Sequence, residues 1–432
     1  MGVLPGAGRR GARSPQLLRQ HIVEEGSVGE AYQVAAVWFG LAVVSTVLAS
    51  RLKVSLALVE ICVGVAAGAI ATRFLSPGSM GSDLPWLRFI ASAGAILLTF
   101  LAGTELDPTA LRLKWKEVLI VGFVGFLAPF LGCAALARFA LGWNTSASLL
   151  AGVALSTTSM AVVYAVMLEY GFNKTEFGKG VLGACFVNDL GTVIALGLIF
   201  APFTYRTFVF IGVSAFTLLL LPFLTARLTA RYGNKTAAVR TKWFLFVLFG
   251  LGALSVWAGS EAVLPAYIAG MVLARTVSSD PLFVRRLRTL TLGFLTPFYF
   301  IRAGSLVSLP ALLAVPAVFL LLLAGKVVTK IVGLHPIIRA FRTDRKERWY
   351  YTLLMSTGLT FGTISALYGL SHGIVSQEQY SYLVAVVIGS ALIPTLIANA
   401  FFMPKHLLAE TVKTPEASSV DQPQGSGDPP SG

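Results

Sequence analysis

The sequence predicts an all-α integral membrane protein with about thirteen transmembrane helices. Apolar runs recur from Tyr32 almost to the end of the chain, and each is long enough to cross about 30 Å of hydrocarbon as a helix. Charged residues make up 12% of the 432 residues, about half the share found in ordinary soluble proteins. Because backbone groups in lipid must hydrogen-bond one another, we expect the apolar runs to be helical.

The candidate spans divide the chain into an N-terminal lead, a transmembrane domain and a C-terminal tail. We expect the lead (1–30) and the tail (411–432) to be disordered because of their Gly, Pro, Ser and charged residues, with a short interfacial helix near 15–25. The transmembrane domain covers 31–403. The predicted spans are 31–50, 54–74, 85–103, 116–141, 147–168, 178–201, 206–226, 242–259, 261–276, 289–307, 310–334, 350–370 and 378–402.

The net charge of +14 reflects membrane topology, because the Lys and Arg residues lie in short loops and form no basic domain that could bind nucleic acid. Loops after odd-numbered spans, together with the tail, hold 23 of them, and the opposite side holds eight. The positive-inside rule therefore predicts a multi-pass inner (plasma) membrane protein with its N-terminus outside and its C-terminus in the cytoplasm. The sequence contains no nucleotide-binding motif and no cofactor or metal-ligand spacing, so we expect no cofactor.

Asp189 is the strongest candidate for a functional residue. It lies about eleven residues into its predicted span, close to the bilayer midplane, and directly follows Asn188. An aspartate at the centre of a membrane helix costs about 2.5–3.5 kcal/mol on insertion scales, so it is usually retained for a task. One carboxylate can bind a small cation or a proton, and competition between them is sufficient for exchange. The alternative is a salt bridge that serves packing.

Arg302 and Glu60 are the other charged candidates inside the predicted spans, whereas Lys326 and Lys330 lie nearer the cytoplasmic half of span 11. Arg302 follows Pro297 and precedes Gly304, and a guanidinium at that depth needs an anion or several carbonyls around it. It either compensates the charge of Asp189 when no cation is bound or pins broken helices together. Glu60 is interpreted first as structural, reaching the interface or a neighbouring helix, and second as a further proton site.

Two hydroxyl-rich runs interrupt predicted spans 5 and 12. They are Ser156-Thr157-Thr158 and Ser356-Thr357. Hydroxyls and carbonyls freed from a helix are the hard oxygen ligands that Na⁺ and K⁺ accept, and polar interruptions at corresponding places indicate a midplane site in transporters. The alternative is that these hydroxyls bond back to their own helices, which is common in membranes.

Four short segments stand in a recognisable order along residues 54–402: 100–107, 154–158, 187–189 and 297–304. Together they resemble bacterial cation/proton antiporters, the branch that includes NapA-like exchangers and glutathione-gated potassium efflux proteins. The resemblance implies a homodimer with a dimerisation domain and a mobile core domain, and an elevator-like alternating-access cycle. It also implies two inverted six-helix repeats in which spans 5 and 12 are broken and cross near Asp189. Our span count starts both halves on the same side, so the repeat symmetry stays open.

Two positions depart from the pattern of some relatives. Many electrogenic relatives carry two adjacent aspartates where this chain has Asn188-Asp189, which favours electroneutral, one-for-one exchange. A central Lys of some relatives corresponds in this comparison to Arg302.

The sequence therefore predicts a secondary antiporter that exchanges Na⁺ or K⁺ for H⁺, with membrane lipids and these ions as its partners and with Asp189 as the shared site. A sodium symporter of organic anions with a related fold and a cation channel are the alternatives. An enzyme is not expected, because no catalytic constellation accompanies Asp189 and Arg302.

Overall fold

All regular secondary structure in the described part of the chain is helical, which confirms the predicted fold class. Eight helices lie in the first half of the chain, and a π-helical turn, Leu136–Ala140, extends the fourth of them. The structure is a computed structural model, and it describes residues 15–52, 54–74, 80–104, 114–172, 175–200, 204–232, 239–260, 262–278 and 280–407. The first eight helices are α1 (Pro15–Leu52), α2 (Leu56–Phe74), α3 (Pro85–Thr104), α4 (Trp115–Ala135), α5 (Thr145–Ser156), α6 (Met160–Glu169), α7 (Glu176–Ile199) and α8 (Tyr205–Tyr232).

The second half contains nine helices, and a π-helical segment, Thr291–Leu295, joins two of them into one bent span. A proline occupies the first turn of four of the nine, where its missing N–H would have no intrahelical partner. The helices are α9 (Val239–Trp257), α10 (Val263–Ser278), α11 (Pro281–Leu290), α12 (Thr296–Ser305), α13 (Leu309–Ala314), α14 (Pro316–Phe341), α15 (Arg345–Met355), α16 (Thr360–Ser371) and α17 (Gln377–Phe401).

Eleven helices or interrupted helices in the described residues are long and apolar enough to cross a membrane. The predicted span at 261–276 corresponds to a shorter apolar helix, Val263–Val277, and the span at 289–307 to the bent α11–α12 unit. The count of thirteen spans therefore stays a prediction at these two places. Helix α1 begins at Pro15, and the predicted disorder of the lead and the tail stays a prediction, since 1–14 and 411–432 lie outside the described residues.

Short polar residues start the helices that build the centre of the molecule. The Asn144 side chain accepts a hydrogen bond from the Ala147 N–H at 2.7 Å and caps α5. Thr175 caps α7, Asp344 caps α15, and Ser376 forms a reciprocal capping box at α17. Each cap satisfies backbone N–H groups that the first helical turn leaves without partners, so these residues fix where the helices begin.

The helices pack as two bundles. The first, which we call the scaffold bundle, contains α1 to α3 and α8 to α12, and the second, the site bundle, contains α4 to α7 and α13 to α17. In the scaffold bundle, Gly64 and Gly68 of α2 lie directly against the backbone of Ile301 and Ser305 of α12. The Gly64-x₃-Gly68 spacing therefore serves close helix packing, in which small residues let two backbones approach.

Candidate functional site

Two interrupted helices cross at the centre of the site bundle. Helix α5 ends at Ser156 and α6 starts at Met160, while α15 ends at Met355 and α16 starts at Thr360. The two interrupted segments run antiparallel at the crossing. The Ala154 carbonyl lies beside Gly362, and further along the first segment the Thr158 hydroxyl donates to the carbonyl of Met355, which comes earlier in the second segment, at 2.9 Å. Spans 5 and 12 are therefore interrupted where the sequence predicts.

The hydroxyls of the two runs divide into two groups. Thr158 bonds across the crossing, and Thr357 accepts a hydrogen bond from the Ser159 N–H at 3.3 Å while donating to its own helix. The hydroxyls of Ser156, Thr157 and Ser356 donate to carbonyls of their own helices, as the back-bonding alternative expects. A hydroxyl that donates to a carbonyl keeps lone pairs, so these five predicted residues remain oxygen ligands in principle.

Asn188 and Asp189 lie on α7 next to the crossing, and both are buried. The Asn188 amide donates to the carbonyl of Ser156, the last residue of α5, at 3.3 Å. The side-chain carbonyl oxygen of Asn188 is buried and has no hydrogen-bond partner among the described residues. Burying an amide oxygen without a partner costs free energy, and a bound cation would supply the missing interaction. Asn188 therefore offers a ligand oxygen beside the carboxylate of Asp189.

Two lysines that the sequence analysis did not select complete the site. Lys326 and Lys330 are one turn apart on α14 and are fully buried. The Lys326 ammonium donates to the Thr157 carbonyl at 3.3 Å, and the Lys330 ammonium donates to the Thr158 hydroxyl at 3.0 Å. Both ammonium groups attract the Asp189 carboxylate electrostatically. Their positive charge also complements the carbonyl ends of α5 and α15 at the break.

Arg302 lies elsewhere, which corrects its predicted role in charge compensation at Asp189. Its guanidinium donates to the Ser82 carbonyl at 2.7 Å and to the Asp83 carboxylate at 3.2 Å, in the segment that precedes α3. Arg302 therefore ties α12 to α3 inside the scaffold bundle. Lys326 and Lys330 of α14 are basic groups that do interact with Asp189, and the correspondence between Arg302 and the central Lys of some relatives stays a prediction.

Glu60 of α2 lies in the scaffold bundle and does not reach the protein surface, because it is only 1% exposed. It precedes Gly64 by one helical turn and so lies on the face of α2 that packs against α12. Neither of its carboxyl oxygens has a hydrogen-bond partner among the described residues. A carboxylate without partners in such a place is much less favourable than the neutral acid, so we expect Glu60 to hold a proton.

The charges around the crossing allow two occupancies. In the absence of a cation, the Asp189 carboxylate interacts with the buried side chains of Lys326 and Lys330, which carry positive charge when they are protonated. A small cation that approaches Asp189 gains the carboxylate and the Asn188 oxygen but is repelled by Lys326 and Lys330. Since like charges at short range in a low-dielectric interior repel strongly, loss of a proton from this cluster favours cation binding. An arrangement of this kind can couple cation binding to proton release.

Comparison of the sequence with known families gives a match over most of the chain. Residues 39–403 match a family model described as "Sodium/hydrogen exchanger, transmembrane". The chain is 26% identical over 333 residues to a probable Na⁺/H⁺ antiporter 3 of Methanocaldococcus jannaschii, covering 74% of this chain and 84% of the relative. It is 25% identical over 397 residues to the Na⁺/H⁺ antiporter NhaS4 of Synechocystis, covering 85% of this chain and 96% of that relative.

Further comparisons extend the likeness to a potassium system and to a solved structure. The glutathione-regulated potassium-efflux system protein KefC of Salmonella arizonae is 25% identical over 422 residues, which cover 90% of this chain but 63% of that protein. The structure of the sodium proton antiporter MjNhaP1 of Methanocaldococcus jannaschii at pH 8 superposes with a TM-score of 0.66 at 14% identity, covering 88% of this chain and 99% of that one. At this identity the structural likeness shows the fold. It confirms that the chain has the antiporter fold.

Proposed function

This chain belongs to the sodium/hydrogen exchanger family, and from that premise we propose that it is a secondary antiporter that exchanges Na⁺ or K⁺ for H⁺ at Asp189. The observation that carries the proposal is the grouping at the crossing of the two interrupted helices. There the Asp189 carboxylate and the unpartnered side-chain oxygen of Asn188 are buried beside the break, where the buried lysines Lys326 and Lys330 bond to Thr157 and Thr158. A cation and protons compete for this cluster, and that competition couples the flux of one ion to the gradient of the other.

Alternating access is the second part of the proposal. The ion site lies wholly within the site bundle, on α5, α7, α14 and α15, whereas the scaffold bundle carries Arg302 and Glu60. A movement of the site bundle against the scaffold bundle carries the site across the membrane without breaking the site itself. This division supports an elevator-like cycle, in a homodimer whose subunits meet through the scaffold bundle. The proposed location is the plasma membrane with the C-terminus in the cytoplasm, as the distribution of Lys and Arg among the loops predicts.

Two stoichiometries follow from different groups in the site. Asn188 cannot ionise, so if Asp189 alone exchanges its proton, one H⁺ moves per cation and the exchange is electroneutral. The buried pair Lys326 and Lys330 favours a second candidate, in which a lysine also releases a proton and net charge moves in each cycle. We keep electroneutral exchange as the proposal for Asp189 and treat the lysine as its rival. Each charge moved through 100 mV is worth about 2.3 kcal/mol, so voltage separates the two.

The experiment is a cation-by-cation assay of ΔpH-driven exchange in proteoliposomes. Li⁺, Na⁺, K⁺ and choline are added in turn, and alkalinisation of the lumen is recorded. We expect a response to Na⁺ or K⁺ and none to choline. The reversal point is then measured at two clamped membrane potentials, where electroneutral exchange predicts no shift. Currents without proton coupling would instead support a channel, and uptake that depends on an organic anion would support a symporter.

Glu60 is a second proton site only if its proton leaves during the cycle. Glu60→Gln copies the neutral acid, and if the carboxyl is a structural group we expect this variant to keep wild-type exchange at every pH. A changed pH profile in this variant would assign a proton of the cycle to Glu60.

A further inference from the structure

Tyr267 of α10 is a scaffold-bundle side chain that reaches the helices of the ion site. It is fully buried, and its hydroxyl donates to the carbonyl of Phe186 on α7 at 3.1 Å. Phe186 precedes Asp189 by three residues, so this bond meets α7 within one turn of the carboxylate. The Tyr267 ring also stacks on the Phe186 ring at 5.2 Å and meets the Phe361 ring edge-on at 5.6 Å.

The backbone of Tyr267 packs closely against α3. Gly103 of α3 lies in direct contact with the Tyr267 carbonyl, and Gly270, three residues further along α10, lies in direct contact with the Phe100 carbonyl. A side chain at either glycine would overlap these carbonyls, so α3 and α10 form one closely packed pair. Tyr267 therefore belongs to a closely packed helix pair of the scaffold bundle, and its ring extends into the site bundle.

Phe361 gives the contact its connection to the crossing. It is the second residue of α16, directly after the break that ends α15. Tyr267 thus touches both α7, which carries Asp189, and α16, which leaves the crossing. The ring contacts of Tyr267 with Phe186 and Phe361, together with its hydrogen bond, join the scaffold bundle to the site bundle in the arrangement seen here. A second hydroxyl, that of Tyr380 on α17, joins the bundles at another level by donating to the Ala303 carbonyl of α12 at 2.6 Å.

We propose that Tyr267 is a positioning residue for transport, whose hydroxyl holds the site bundle in the arrangement seen here and releases it in the opposite one. The proposal rests on the antiport cycle proposed above. Sliding of α7 along α10 by a single helical turn, about 5.4 Å, is enough to break a hydrogen bond of this length. Without the hydroxyl, the present arrangement loses one buried hydrogen bond while the opposite one loses nothing.

The test uses Tyr267→Phe, with Tyr351→Phe as the matched control. The Tyr351 hydroxyl is equally buried and donates to the Gly180 carbonyl at the same 3.1 Å, but both partners lie in the site bundle. The apparent KM for the cation is measured at each membrane face, in right-side-out and everted vesicles. Because apparent affinity scales with the population of the competent state, Tyr267→Phe should change the ratio of the two KM values about two- to tenfold. Tyr351→Phe should leave that ratio unchanged.

A KM ratio that is unchanged in Tyr267→Phe, or equally changed in both variants, would overturn the positioning role. Amide hydrogen exchange in detergent micelles gives a readout that needs no transport. Tyr267→Phe should speed exchange in peptides covering both 182–190 and 263–271, whereas Tyr351→Phe should leave 263–271 unchanged. If the wild-type protein shows no cation/proton exchange, the proposed function fails, yet this second measurement still decides whether Tyr267 joins the two bundles.

Discussion

Gly358 lies at the point of the crossing where the lack of a side chain matters most, so Gly358→Ala is a direct perturbation of the site. A Cβ at this position would overlap the Lys326 ammonium and would lie 2.9 Å from the Thr157 hydroxyl and 3.3 Å from the Thr157 carbonyl. The carbonyl is backbone and cannot move freely, so the ammonium must leave its hydrogen bond to Thr157. Overpacking of this kind costs about 1–3 kcal/mol.

Exchange in proteoliposomes and thermal unfolding in detergent measure the two consequences of Gly358→Ala. We expect the exchange rate to fall at least about fivefold, since 1 kcal/mol is about a factor of five in an equilibrium, and the apparent Tm to fall as well. Gly250→Ala is the control, because a Cβ there meets no atom within 4 Å and alanine is favoured over glycine inside a helix. Wild-type exchange and stability in Gly358→Ala would refute the placement of Lys326 against the break.

Three further predictions concern ion pairs, a helix cap and the side of the membrane on which the C-terminus lies. Glu117→Ala removes the carboxylate that accepts hydrogen bonds from the mostly buried Arg342 at 2.8–3.1 Å, and it should lower the free energy of unfolding by about 3–5 kcal/mol. Lys114→Ala removes the exposed Lys114–Glu176 pair and should lower the free energy of unfolding by under about 1 kcal/mol. Similar losses in the two variants would contradict this reasoning. The Phe283 N–H and Arg240 lower the pKa of Asp280. The carboxylate of Asp280 should therefore stabilise the fold above its unfolded pKa of about 3.9, and this stabilisation should disappear as the pH falls through the folded pKa. Asp280→Asn should remove this pH dependence from thermal unfolding, and an unchanged pH dependence in the variant would contradict the prediction. A reporter fused to the C-terminus should be active in the cytoplasm, and activity outside would mean that the predicted topology is inverted.

The helical spans and the two breaks were predictable because their causes are local. Apolar length sets the spans, and the runs around Thr157 and Thr357 combine hydroxyls with a neighbouring glycine or a second β-branched residue, which weakens helix continuity. The position of Asp189 was also predictable, since a carboxylate deep in an apolar run has few explanations other than a site. The antiparallel pairing at the crossing depends on contacts about 200 residues apart in sequence, which no local pattern contains.

The basic partners of Asp189 were not predictable in the same way. Arg302 is central in its apolar run and looked like the natural counter-charge, whereas the structure pairs it with Asp83 across helices. Lys326 and Lys330 lay toward one end of a long predicted span, and a lysine near a helix end usually extends to the interface. One signal was available: the two lysines are four residues apart, so they share a helix face that cannot face lipid without cost.

Asp189→Asn tests the central claim most directly, because it removes the carboxylate and almost nothing else. The matched control is Asp344→Asn, since asparagine caps a helix as well as aspartate does and Asp344 caps α15 through its side chain. Both variants are purified, checked for monodispersity and thermal stability, and assayed for Na⁺- and K⁺-dependent ΔpH dissipation in proteoliposomes. We expect Asp189→Asn to be folded and inactive with both cations, and Asp344→Asn to be active. Exchange at more than a small fraction of the wild-type rate in folded Asp189→Asn would contradict the assignment of Asp189 as the shared site.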